Sequence, residues 1–345
     1  MKISQKDKLE NCYFVKNVLM CMVVFYHSIA LWMGEWFKSP QEPSYVLGSL
    51  ALWLNSFHIY GFMLVSGYIY YYMRYEKKSR NYMYFCSYIK IKAKRLLIPY
   101  SFVALVWVMP IYCYFNKPTI DVLIKKYILM ESPSQLWFLV MLFGCSAVFY
   151  LLSDYVRLHT IAGGVITLLF WGLGIVGVKL FGNYFQIWNI CKYLIFFYIG
   201  FILRQYDFRK LESIPSALYV AVDIVLFEVW NMCSRSNLIL VNIMSIGLFF
   251  SLNIIGSIGS FVILQKFASC HKKSMIRDFL SKHNMTIYLF HQQLIYFVIV
   301  WGNGKVNNYL LAVMNFAFSF LGALIISIIL SLNKGTRFLI SGKSA

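Results

Sequence analysis

The sequence predicts an all-α, polytopic integral membrane protein of about ten transmembrane helices, on three observations: its composition, the spacing of its apolar runs and the sidedness of its basic residues. Of 345 residues, 60% are hydrophobic and only 13% are charged, too few polar groups to give a soluble domain a hydrated surface. Apolar runs fall near 12–33, 45–72, 95–115, 136–153, 158–181, 187–204, 214–232, 238–265, 285–301 and 308–333, each close to the ~20 residues that cross a hydrocarbon core. With the amino terminus inside, 23 Lys and Arg fall on cytoplasmic segments and seven (Lys38, Lys117, Lys125, Lys126, Lys179, Arg235, Lys305) on outer ones. Only Lys16 and Lys192 then lie within spans. That bias obeys the positive-inside rule, supports an even span count and places both termini in the cytoplasm. It also accounts for the net charge of +19 without nucleic acid as a partner.

The first span has the basic start of a secretory signal, yet it carries Lys16 and lacks a small-residue cleavage site, so it reads as a retained anchor. Lys16 and His27 are eleven residues apart. At ~100° per residue that is about 1100°, roughly 20° past three turns, so both side chains share one face about 16 Å apart. Ionisable groups inside a span mark function, and this pair suggests an anionic substrate anchored by Lys16 and reacted at His27.

The second span carries Phe57-His58-Ile59-Tyr60-Gly61-Phe62-Met63-Leu64-Val65-Ser66-Gly67-Tyr68. His58 lies about 20 Å from the outer start of its helix. Ser66-Gly67 would admit another backbone or a thin ligand, and a plain helix-packing site fits equally well. Before the third span runs Lys90-Ile91-Lys92-Ala93-Lys94-Arg95, a cluster of the kind that meets anionic lipid head groups, the reading given to Lys90 and Lys92. Arg95 adjoins the apolar run, where a guanidinium can hold a phosphate bidentately.

The fourth span opens with Ser134-Gln135-Leu136-Trp137-Phe138-Leu139, by default an aromatic belt. The acids well inside a span are Asp223 and Glu228 in the seventh; either would orient an imidazole or pair with Lys192. In the ninth, Thr286-Ile287-Tyr288-Leu289-Phe290-His291-Gln292-Gln293 supplies a third intramembrane histidine, flanked by amides. Three histidines without cysteine or carboxylate at ligand spacing point to proton transfer rather than a metal. The eight cysteines are scattered singly and read as small buried apolar residues. Connections are short, so residues 1–345 read as one membrane-embedded domain with no soluble domain appended.

Taken in order, these segments resemble the membrane-bound acyltransferase family 3, which O-acetylates cell-surface glycans. The family's pattern of a basic residue, ten residues and a histidine is met by Lys16 and His27. His58, Phe62, Ser66, Gly67 and Tyr68 meet its second-span pattern, and Arg95, Pro99 and Tyr100 its third. Leu136-Trp137-Phe138-Leu139, then Phe196, Phe197 and Gly200, then Ile287, Tyr288, Leu289 and His291 complete the series. Lys16 stands where the family most often has Arg, and the fourth span lacks the Glu that follows the Trp motif in some subgroups. The branch implied is similar to fucose 4-O-acetylases and to capsule or exopolysaccharide acetylases.

The resemblance implies an O-acyltransferase in a bacterial cytoplasmic membrane, using acetyl-CoA as donor substrate and no bound cofactor. Lys16 and Arg95 would hold the CoA phosphates, and His27 would act as general base on a hydroxyl of a glycan or lipid-linked sugar. His58, Ser66, Gly67, Trp137 and His291 would support that site, and Glu228, singled out as an acid within a span, is the further supporting candidate. The rival reading is a transporter or flippase for a lipid-linked sugar or small anion, which commonly shows two matching halves. No second copy of the Lys16 and His27 pattern occurs in this chain.

Overall fold

The computed structural model describes residues 5–34, 36–270 and 274–342; among them it is helical without strands and has ten helices long and apolar enough to cross a membrane. In chain order the spans are Leu9–Met33, Tyr45–Glu76, Phe85–Asn116, Ser134–Leu158, Thr160–Phe181, Tyr184–Gln205, Ser216–Cys233, Ile239–Cys270, Met275–Gly302 and Asn308–Leu332. A short helix, Lys334–Ser341, follows the tenth and packs on the third. The all-α polytopic reading and the span count agree with this architecture.

Two boundaries differ from the apolar runs. The third and ninth helices begin at Phe85 and Met275, ten residues before the hydrophobic stretches that announced them. Hydropathy marks what lies in hydrocarbon, whereas Lys and Arg are good helix formers whose stems extend a helix into the head-group layer. That extension matters, because it puts Lys92 and Arg95 on one continuous helix with the membrane-buried part of the third span.

The first span is the hub, packing against the second, eighth, ninth and tenth. Its buried side, from Val15 through Val23 to Ile29, has no lipid-facing equivalent in the fifth span, where Leu169, Leu173 and Val176 are exposed at the periphery. Spans two and six approach closely. A Cβ on Gly67 would sit 1.8 Å from the Phe197 carbonyl oxygen, and one on Gly200 1.8 Å from that of Leu64. This reciprocal glycine contact lets two backbones touch, as small residues do in membranes where no hydrophobic force drives helices together. At the basic end, Arg204 donates two bonds of 2.6 Å to Glu76 and one of 2.8 Å to the Tyr68 hydroxyl, pinning the same two spans. Arg74 joins the second span to Asp154 of the fourth at 2.6 Å.

Two irregularities shape the interior. The second span breaks between Asn55 and His58, where Phe57 leaves helical geometry with φ −139° and ψ −25°. The third contains Pro99, then a widened turn over Ala104–Val108 just before Pro110, the usual accommodation where a ring removes an N–H and crowds the preceding turn.

Candidate active site

The break in the second span fixes the first of three histidines. Leu54, at the end of the upper half, keeps a carbonyl that accepts from the Phe57 amide at 3.3 Å and from His58 Nδ1 at 2.5 Å. On the ninth span, His291 Nδ1 lies 2.7 Å from the Tyr288 carbonyl and 3.2 Å from that of Ile287. A carbonyl oxygen only accepts, so both rings carry their proton on Nδ1 and present Nε2 as a bare acceptor. Both Nε2 atoms are buried without a hydrogen-bond partner among the described residues, which in a membrane interior is a costly state that a ligand hydroxyl would relieve.

His27 lies beside His291 and is linked to His58 through Tyr26. Its ring centroid is 5.2 Å from that of His291, and Tyr26 touches both His27 at 4.8 Å and His58 at 5.0 Å. His58 and His291 are fully buried, whereas His27 retains exposed surface. Aromatic rings flank His27 at the outer end of the first span. Trp36 meets His27 edge-on at 6.4 Å and Tyr296 at 5.1 Å, and Phe37 stacks on Tyr296 at 4.5 Å. Among the described residues, no three His, Cys, Asp or Glu side chains are grouped to share a metal ion.

About 16 Å further down the first helix, towards its amino-terminal end, is Lys16. It lies within electrostatic range of Arg95, and Lys92 within range of both. Lys16 and Lys92 are partly buried, Arg95 is exposed, and no carboxylate forms an ion pair with any of them among the described residues. Three unpaired cations that repel one another make a ready receptor for a polyanion, since each gains most when a phosphate arrives.

A polar ladder sets the rotation of the first span and so aims Lys16 and His27. Asn17 donates to Ser281 Oγ at 2.8 Å and to the Arg277 carbonyl at 3.1 Å; Asn284 donates to Asn17 Oδ1 at 2.9 Å and to the Lys16 carbonyl at 3.1 Å. From the other side, Asn315 of the tenth span donates to the Ser28 carbonyl at 2.9 Å. The ninth span is held in turn by Gln135. Its amide donates to Leu289 O at 2.8 Å and Gln293 Oε1 at 2.7 Å, and accepts from Gln293 Nε2 at 3.0 Å. The Gln135 carbonyl also accepts a short bond from the Tyr288 hydroxyl.

The structure thus forms two groups on the line of the first span, Lys16 with Arg95 and, about 16 Å away, His27 with His58 and His291. It adds Lys92, which had been assigned to lipid head groups although it sits three residues before Arg95, on the same helix face. Ser66 and Gly67 serve packing: the hydroxyl donates to its own helix at Phe62 O, 2.8 Å away, and the glycine meets Phe197. Trp137 starts the fourth helix and packs on Tyr193 at 5.7 Å. Glu228 does not join the site. It is exposed one residue beyond the buried stripe of Asp223, Phe227 and Asn231, while Asp223 accepts from Trp53 Nε1 at 2.8 Å. Neither acid pairs with Lys192.

The fold and site define a multi-pass membrane protein with an imidazole cluster in its interior and a group of cations about 16 Å from it along the first span. The chain belongs to the acyltransferase family 3, whose acyltransferase domain matches residues 14–332, and is therefore a membrane acyltransferase. No curated protein and no solved structure matches it.

Proposed function

We propose that the protein transfers an acetyl group from cytosolic acetyl-CoA to a hydroxyl of a cell-surface or lipid-linked glycan, in the branch resembling fucose 4-O-acetylases, within a bacterial cytoplasmic membrane. The observation that carries this reading is the division of the histidine trio. His27 alone of the three keeps accessible surface, it stands in line with Lys16, and its neighbours offer unsatisfied acceptors.

In this reading Lys16, Lys92 and Arg95 hold the CoA phosphates at the basic end, which the charge bias assigns to the cytoplasm. The pantetheine arm rises along the first span until the thioester reaches His27. The imidazole removes the proton from the acceptor hydroxyl while that oxygen attacks the thioester carbon. The carbon–sulfur bond then breaks, and CoA leaves as thiol with the proton returned by the imidazolium. His58 and His291, through Nε2, accept hydrogen bonds from acceptor hydroxyls and orient the sugar. Trp36, beside His27, offers an aromatic surface for the apolar side of a sugar ring.

The test is CoA release by purified protein given acetyl-CoA and a glycan extract, with product O-acetylation followed by NMR. Wild-type protein should release CoA only with acceptor present. Vectorial movement of an unmodified sugar without CoA release would overturn the proposal.

A further inference from the structure

A second polar constellation lies away from the histidines, between the fifth, sixth, seventh and eighth spans. A crevice of about 290 Å³ is lined by Trp171, Lys179, Lys192, Trp230, Ser245 and Phe249, with Asn253 at its inner end. Its rim is set by Lys179, exposed in the last turn of the fifth helix, and by Ser234, exposed after the seventh. We propose that this crevice binds the phosphate of a lipid in the leaflet opposite the cationic group of Lys16, Lys92 and Arg95.

Lys192 is the reason. It is a lysine inside a span whose Nζ lies 5.6 Å from the Tyr193 ring, and no carboxylate pairs with it among the described residues. Charges in spans are almost always paired or functional. Its position is held by the backbone: a Cβ on Gly174 would lie 2.6 Å from the Lys192 amide nitrogen, and one on Gly177 would strike the Trp188 ring at 2.1 Å. The two glycines therefore seat the fifth span directly against the turn that carries the lysine.

Depth selects the ligand. Lys192 is five residues into the helix Ile187–Gln205, about 7.5 Å below its start, so its stem can carry the ammonium to the plane of the lipid phosphates. Lys179 supplies a second cation from the neighbouring helix end. The walls suit acyl chains and the interface, with Trp171 against Phe250 at 4.2 Å and Trp230 against Phe249 at 4.9 Å. The volume lies at the lower limit of small-ligand pockets, enough for a head group and too small for a glycan chain. At the inner end, Asn253 donates to the Ser56 carbonyl at 2.6 Å, two residues before His58, so an occupant would abut the wall of the histidine cluster. The phosphate can come from a bulk phospholipid or from a polyprenyl phosphate of the kind that carries sugars.

The test is native mass spectrometry of delipidated full-length protein titrated separately with phosphatidylglycerol, polyprenyl phosphate, diacylglycerol and inorganic phosphate. Lys192→Met should weaken binding of the phosphate lipids at least tenfold, Lys179→Gln about threefold, and Lys192→Arg should restore most of the loss. Tighter binding of polyprenyl phosphate than of phosphatidylglycerol would identify a carrier lipid as the source; equal binding would identify bulk lipid. The proposal is overturned if Lys192→Met, shown to be folded by an unchanged melting temperature, binds the phosphate lipids as wild type does. It is also overturned if diacylglycerol or inorganic phosphate binds as tightly as they do.

Discussion

Replacing Gln135 by leucine tests how the ninth span is held. The side chain is 2% exposed and makes three amide hydrogen bonds, two of them reciprocal with Gln293, itself 2% exposed. Interhelical hydrogen bonds in membranes average about 0.6 kcal/mol, so three contribute roughly 2 kcal/mol. Removing one amide also strands the other away from water, which costs a further ~1–3 kcal/mol. Gln135→Leu should therefore cost about 3–5 kcal/mol, and Gln293→Leu a similar amount. The double variant removes both amides and leaves neither stranded, so its loss should fall short of the sum by at least about 2 kcal/mol. Unfolding of the purified protein in mixed micelles, run as a double-mutant cycle, measures this coupling. Losses that add to within about 0.5 kcal/mol would refute the reciprocal pair.

Gly67→Ala should destabilise by more than about 3 kcal/mol, because its methyl meets the Phe197 backbone rather than a movable side chain; a melting temperature within a degree or two of wild type would contradict the close approach. Lys16→Ala and Arg95→Ala should each weaken acetyl-CoA binding roughly ten- to a hundredfold, the equivalent of ~1.5–3 kcal/mol per charge-assisted contact. Equilibrium binding unchanged in both would assign these residues to lipid contact. Reporter fusions in the connection after Gly302 should respond from outside the cell, and a cytoplasmic signal there would reverse the charge-based orientation.

Much of this was legible because single helices carry it. Ten spans follow from runs of apolar residues, and the alignment of Lys16 with His27 follows from the helical period alone. Lys92 is legible too, since its spacing from Arg95 places both on one face, but a basic cluster beside a membrane is so often a lipid contact that composition alone does not single it out. Glu228 misled because acid identity outweighed phase; the stripe of Asp223, Phe227 and Asn231 at four-residue steps excludes it from the buried side. What the sequence could not supply was partnership. Gln135 and Gln293 are 158 residues apart, and nothing in either amide names the other. The break before His58 was equally hidden, as Ser56-Phe57 contains no proline or glycine and only tertiary packing, with Asn253 on the Ser56 carbonyl, shows why the helix stops there.

The central claim is that His27 is the general base, and the most direct measurement is acyl transfer by His27→Ala with acetyl-CoA affinity determined on the same preparation. Loss of a general base costs ~10² to 10⁴ in rate, while the cations proposed to hold the CoA phosphates lie some 16 Å away. The account predicts a loss of that size with donor affinity unchanged, and milder, separable losses for His58→Ala and His291→Ala. Near-normal turnover by folded His27→Ala would contradict it and move the chemistry to one of those two histidines.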